Sequence, residues 1–348
     1  MKRIVFLLFL PLCLLLTGCR GEEMERFFIV TAMAVDWEGE AYRLKLEGSA
    51  DQVDENKNPK AVLREGWGKN LTQCFLDIQK QTGEYPYTRQ TELILLSGAI
   101  PPEALGRLID DLLNENGVRL NARVVMTGGR AGNLLEAGEF SGQRILKAVT
   151  KGGGTLTAAD IMLRDLAFAR AEQGIDPVLP LTDPIQTEGL CLLKNNIVSG
   201  QIEPALTPVF MMAGGTERGG SITVETAEGA MAFRLLRNKG KIVPRYENGH
   251  VTVRISIEGE FRAADRLARD TAFYEAVLKE RLEADLQALL AVLQAARCDG
   301  LGFGRQLAVH HPKVWAMLEG DWDAHFSACR IEPDITVSIT STGKLKAG

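Results

Sequence analysis

The sequence predicts an α+β fold: several domains built on mixed sheets with packed helices, and one long C-terminal helix. Three observations carry that expectation. Residues 27–126 read strand-strand-helix-strand-helix-strand. Residues beyond about 185 turn rich in alternating strands. A leucine stripe then repeats at helical spacing from Val277 to Leu293.

Phe27 to Val35 is almost continuously apolar and rich in β-branched residues, the pattern of a strand covered on both faces. Asp36 to Glu40 reads as a turn. Tyr42, Leu44 and Leu46 alternate with Arg43, Lys45 and Glu47, so a half-buried strand follows, and residues 51–60 read as a polar loop. Trp67, Leu71, Cys74, Phe75 and Ile78 form one helical stripe, which predicts a helix over about 65–81. Thr91 to Ser97 reads as a buried strand. Pro101 and Pro102 open the next helix, where proline is tolerated in the first turn. Its buried face is Leu105, Leu108, Ile109, Leu112 and Leu113.

Leu120, Ala122, Val124 and Met126 alternate along a further strand. Residues 130–138 read as a short helix, and Gly152 to Gly154 as a break. Thr157 to Asp160 resembles a capping box, which predicts a helix from there to about Glu172. Asp176-Pro177 to Pro184 is a proline-rich connector. It divides residues 19–184, an N-terminal α/β domain, from residues 185–348, an α+β region with a further division near 235–245. A hairpin is expected around Lys194-Asn195-Asn196, and turns over 203–220. Strands are expected at 221–226, 230–237 and 241–247. Val251, Val253, Ile255 and Ile257 predict an antiparallel strand with one wet face. The long helix should run from Asp270, its N-cap, to about Arg297. A short helix containing Leu307 and Val309 stops before Pro312, and Ile335, Val337 and Ile339 mark a last strand.

The 348 residues are 45% hydrophobic and 24% charged, with a formal net charge of −5. That is an ordinary globular composition, and nothing in it suggests a nucleic-acid partner. The N-terminus is not ordinary. Lys2 and Arg3 precede an apolar run from Ile4 to Leu16, shorter than the roughly 20 residues a spanning helix needs and of signal-peptide size. The run ends in Leu16-Thr17-Gly18-Cys19, which resembles the bacterial lipobox. Residues 1–18 are then a lipoprotein signal peptide, and Cys19 is the lipid attachment residue. The competing reading is an ordinary signal peptide with a chance cysteine. Cys74, Cys191, Cys298 and Cys329 are far apart, with no CxxC spacing. Buried free thiols are favoured over disulfides, which the compartment permits.

No constellation for catalysis, cofactor or metal stands out. His250, His310, His311 and His325 form no HxxxH pair, and adjacent His310 and His311 would point about 100° apart on a helix. Gly300 to Gly304 looks like a phosphate loop but follows a helix, so it reads as a sharp turn. Asp321 and Asp323 flank Trp322; an exposed turn with a packed tryptophan is favoured over acid-base chemistry. The chain is expected not to be an enzyme.

The lipobox, the first strand and the C-terminal end together resemble the Ger(x)C family, the lipoprotein C subunits of nutrient germinant receptors in spore-forming bacteria. The likeness is carried by Phe28 to Asp36, Gly68-Lys69-Asn70-Leu71 to Gln81, Leu93 to Gly98, Arg119 to Val125 and Gly189 to Lys194. Its most specific part is Asp299-Gly-Leu-Gly302 with Gly304, His311-Pro312-Lys313-Val314-Trp315, Asp321-Trp322-Asp323 and Phe326, then Thr342-Gly343. It departs at Gln90-Thr91-Glu92, where a histidine is expected, and over 201–220. The resemblance implies a non-catalytic subunit on the outer face of the spore inner membrane, without cofactor, partnered by the A and B receptor subunits. Trp315, Trp322, Gly302 and Gly304 are then fold residues rather than functional ones. The alternative is a solute-binding lipoprotein of a transporter, which should show two parallel-sheet lobes. A cell-wall hydrolase would need an acid, base or metal set.

Overall fold

The computed structural model describes residues 27–53, 59–114, 117–151, 159–182, 187–215, 219–226, 229–264 and 267–340. Cys19 and the leader lie outside the described residues. The architecture is α+β, on two mixed sheets.

The first sheet begins with β1 (Phe27–Glu38), β2 (Ala41–Val53) and β3 (Pro59–Gly68), an antiparallel meander. Helix α1 (Leu71–Thr82), the short β4 (Tyr85–Tyr87) and a 3₁₀ turn lead to β5 (Leu93–Ser97). Helix α2 (Pro102–Asn114) crosses to β6 (Arg123–Thr127). Helices α3 (Ala131–Glu136), α4 (Ser141–Lys151) and α5 (Leu163–Ala171) precede β7 (Val178–Thr182). The hairpin β8 (Thr187–Lys194) and β9 (Ile197–Ile202) completes the order β3-β2-β1-β5-β6-β7-β8-β9, with β4 beside β1. The sheet is parallel from β1 through β7 and antiparallel at both ends.

Helix α6 (Thr207–Gly214) links to the second sheet, β10 (Ser221–Thr226), β11 (Gly229–Glu247), β12 (His250–Ala263) and β13 (Arg330–Thr340), hydrogen-bonded in that order. Between β12 and β13, which run parallel, lie α7 (Thr271–Ala295), α8 (Phe303–His310), α9 (Pro312–Leu318) and α10 (Trp322–Ser327).

Apolar runs and alternation map to burial as the periods predict. On β1, Phe28, Val30, Met33 and Val35 face one core while Ala32 and Ala34 face another. On β8, Leu190 and Leu192 face the C-terminal core and Cys191 and Leu193 the N-terminal one. The β7–β9 segment is therefore a wall shared by both halves, which explains its unbroken apolar character. Asp270 caps α7 as expected, its carboxylate accepting the Phe273 N–H at 3.0 Å, and Leu278, Leu282, Leu286, Leu289, Leu290 and Leu293 are buried beneath it. Asn195 and Asn196, both at positive φ, make the tight β8–β9 turn.

Several elements differ from the sequence reading. Residues 65–68 lie in β3 and not in a helix. Trp67 stands on that strand, 39% exposed, with the Arg43 guanidinium 5.3 Å above its ring. Asn70 caps α1, accepting the Gln73 N–H at 2.9 Å. The helical stripe failed there because β3 passes directly beneath α1: a Cβ on Gly66 would sit 2.5 Å from the Cys74 carbonyl. Strand also occupies 51–53 and 59–60, within the expected loop. Helix α5 starts at Leu163; Asp160 instead pairs with Arg123 at 2.8 Å, and Asp165 accepts the Met162 N–H. Helix α4 was unanticipated, and α6 stands where turns were expected. The segments 230–237 and 241–247 form one strand. Gly240 lets that strand pass tight against the Met212 carbonyl of α6. Trp322 is 6% exposed and opens α10 rather than sitting in a turn.

The largest difference concerns β2. Its polar residues are not wet: Lys45 is 4% exposed and Glu47 1%. Helices α3 and α4 cover them, and carboxylates from the sheet cap both helices. Asp36 accepts the Ala131 and Gly132 N–H groups at 2.7 and 2.9 Å, and Glu47 accepts the Gly142 N–H at 3.1 Å. These are the unpaired donors of a helix start, so the charges are matched to the helix dipole. Lys45 is held between Glu65 and Glu136.

Candidate functional site

The two halves of the chain meet at one polar knot. Asp299 follows α7 at a break where Gly302 takes φ 72°. Its carboxylate, 1% exposed, accepts N–H groups from Phe303 and Gly304 at 2.8 Å each and the Trp322 indole N–H at 3.0 Å. Burial pushes the Asp299 carboxyl up to about 7 against the pull of these three donors. The Asp299 N–H in turn donates to Asp176 Oδ2 at 2.8 Å, and the Asp176 N–H to the Asp299 carbonyl at 3.1 Å.

Asp176 lies in the connector between α5 and β7. Lys194, at the end of β8, bridges it to Asp323 of α10, with Nζ 3.0 Å from Asp176 and 2.7 Å from Asp323. Burial raises the Asp176 carboxyl, and the Lys194 contacts oppose that shift. Burial pulls the Lys194 ammonium down, but its bonds to Asp323 and Asp176 more than offset it and leave it raised. Gly304 packs between Trp315, Trp322 and Gly174, where a Cβ would find atoms within 2.8 Å. The Trp315 indole donates to Gln173 Oε1 at 2.9 Å, and the two tryptophan rings meet edge to face at 5.2 Å.

The C-terminal residues singled out in the sequence therefore converge on residues 173–176 and staple the halves together. Asp176 and Lys194 are the partners on the other side. They are far from Asp299 in the chain, and neither the Asp176-Pro177 connector nor the Gly189 to Lys194 segment pointed to a pairing with it.

Beside the knot a cleft of about 710 Å³ opens between α5 and the C-terminal body, walled by Phe168, Ile175, Phe210, Ile242 and Leu301. Arg305 stacks over the Phe168 ring at 4.8 Å, with its Nε buried and without a hydrogen-bond partner. His310 and His311 lie exposed on its rim.

These groups make a poor reaction centre. Every oxygen of the Asp299 carboxylate is already engaged by a fixed donor. Asp323 pairs with Lys194. Cys74, Cys191, Cys298 and Cys329 are free and buried. Burial pushes the thiols of Cys74 and Cys191 to about 12 and that of Cys329 to about 11, far from the thiolate a nucleophile or metal ligand requires. Among the described residues no group of His, Cys, Asp and Glu could hold a metal ion.

Comparison with known proteins places this architecture. Residues 20–184 match the family described as "Spore germination protein N-terminal domain", and residues 188–343 match "Spore germination B3/ GerAC like, C-terminal". The chain belongs to the Ger(x)C family. Spore germination protein B3 of Bacillus subtilis (strain 168) is 20% identical over 367 residues, covering 98% of this chain and 97% of that protein. The crystal structure of the GerBC protein superposes with a TM-score of 0.60 at 16% identity, over 88% of this chain and 96% of that one. At that identity the superposition speaks for the fold. The Ger(x)C reading of the sequence and its α+β class both stand.

Proposed function

We propose that this Ger(x)C protein is the lipid-anchored, non-catalytic C subunit of a nutrient germinant receptor. It is held by lipid on Cys19 at the outer face of the spore inner membrane. It acts by contact with the A and B receptor subunits to trigger germination. The observation that carries the reading is the family match across nearly the whole chain, in one order, behind a lipobox. Among the described residues no helix is long and apolar enough to cross a membrane. The reading assigns an acyl anchor to the chain on Leu16-Thr17-Gly18-Cys19. Each buried CH₂ contributes about 0.8 kcal/mol, and a diacylglyceryl group supplies the two chains that stable anchoring needs.

The non-catalytic role is supported by the use made of the charged residues: the knot around Asp299 and the caps at Asp36 and Glu47 consume their polar atoms in structure. The transporter alternative expects two parallel-sheet lobes. Here one mixed sheet stands beside a separate four-stranded one, and β8 of the first presents side chains to both cores.

Cys19→Ala is expected to release the protein from membranes and to weaken nutrient-triggered germination. Normal germination of the variant spores, at wild-type receptor levels, would count against the reading. Calorimetry on the mature protein should find no tight binding of amino acids; sub-micromolar binding of a small solute would favour the transporter alternative.

A further inference from the structure

Among the described residues, one face of the first sheet is left uncovered near Phe27. The strand registers put five apolar side chains together there. Phe27 pairs with Tyr85 and Ile29 with Tyr87, in parallel. Ile29 also pairs with Ser49, and Ser49 with Ala61; one step along, Glu47 pairs with Leu63. Residues in register, and residues two apart, share a face of a sheet. Phe27, Ile29, Leu63, Tyr85 and Tyr87 therefore project on the face that α3 and α4 cover farther along. The Phe27 ring packs edge-on against both tyrosines, at 6.0 and 5.8 Å.

Beyond those helices no element among the described residues covers the face. Tyr85 is 51% exposed, Leu63 37% and Ile29 36%. The charge beside it is internally matched: Arg64 stacks on Phe28 from the other side of the strand and pairs with Glu84 at 2.7 Å. The surface is apolar and aromatic, with no strong field of its own.

Chain connectivity says what meets it. Cys19 is eight residues before Phe27, and eight residues span at most about 29 Å fully extended. Phe27 is itself a member of the patch. If Cys19 carries lipid, the bilayer surface lies within that reach of Phe27, where the patch begins. Tyrosine is enriched at membrane–water interfaces, where an apolar ring and a polar hydroxyl are both satisfied. We propose that the Phe27–Ile29–Leu63–Tyr85–Tyr87 face rests in the lipid headgroup region, so that the anchor orients the body as well as retaining it.

The inference rests on the anchored reading above, and its test imposes the tether chemically so that the two can fail separately. A hexahistidine segment replaces Cys19 in the mature chain, which is bound to nickel-chelating vesicles of phosphatidylcholine. An environment-sensitive fluorophore is attached to Tyr85→Cys or Leu63→Cys. Met317→Cys, at a site 68% exposed on the C-terminal body, is the control. The four native thiols described here are buried and do not compete for the label.

Labels at 85 and 63 are expected to shift to shorter wavelength and to lose intensity to brominated lipid, while the label at 317 does neither. Added salt should leave the effect in place, because contact is apolar, and Tyr85→Glu should reduce quenching of the label at 63. Circular dichroism checks that each variant is folded. Labels at 85 and 63 that behave like the one at 317, or quenching abolished by salt, would overturn the proposal. Native acylation is judged independently by mass spectrometry of residue 19.

Discussion

Strands β2 and β12 look alike in sequence and live in different surroundings. Each alternates apolar with charged residues: Leu44 and Leu46 against Arg43, Lys45 and Glu47, Val253 to Ile257 against Arg254 and Glu258. On β12 the charged face is solvated, as alternation suggests. Arg254 pairs across to Glu332 at 3.2 Å and Lys239 to Glu258 at 3.6 Å, all with exposed side chains. On β2 the same kind of face is sealed under α3 and α4, and its Glu47 carboxylate, like Asp36 of the neighbouring β1, has become a helix cap. A charge on a strand is thus worth little or much according to what the next hundred residues lay over it.

The comparison can be sharpened by removing carboxylates in order of enclosure. Asp299, the most enclosed, sits at the seam between the halves. Asp299→Ala leaves two backbone N–H groups and an indole N–H without a partner, and at about 1–3 kcal/mol for each stranded donor should cost at least about 3 kcal/mol in urea unfolding. Asp299 also has a pH signature. Its carboxyl titrates near 3.8 in the unfolded chain and near 7 in the folded one. Between those values the folded state holds the extra proton. The stability it contributes is therefore present at low pH and declines as pH rises from about 4 to about 7, then levels. Thermal melting of the wild type against Asp299→Asn should show the wild type losing ground over that window. A constant difference would mean that the three donors keep the carboxylate ionised throughout.

Glu47→Ala comes next, at about 1–3 kcal/mol, since it strands the Gly142 N–H beneath α4. Glu47 shares the sign of Asp299, because burial raises its carboxyl above the ordinary value. Glu258→Ala on the wet face should change stability by no more than about 0.5 kcal/mol, and what it does change should fade with salt. If Glu47→Ala and Glu258→Ala proved equal, the distinction drawn between the two sheets would be wrong.

Much of this fold was legible residue by residue. Asp270 announced the start of α7, the leucines that follow gave its buried face, and Asn195-Asn196 gave the β8–β9 turn. Errors arose where two periods overlap. Trp67 fits a helical stripe with Leu71 and Cys74, yet glycines at 66 and 68 let β3 run under α1, and close approach of backbones leaves no mark in a hydrophobicity pattern. Helix α6 carries apolar residues almost all round, Thr207 to Ala213, so it has no stripe to detect. The knot was half legible. The run from Asp299 to Phe326 stood out as a motif, and its partners Asp176 and Lys194 did not, since ion pairs between distant segments have no spacing rule.

By itself the sequence determined the periods that make strands and the long helix, and the family. Only the tertiary structure decided which charged face is covered, which carboxylate caps a helix, and that β8 serves two cores at once. The reason is physical. A period fixes which side chains point the same way. What they meet depends on segments that arrive from elsewhere in the chain.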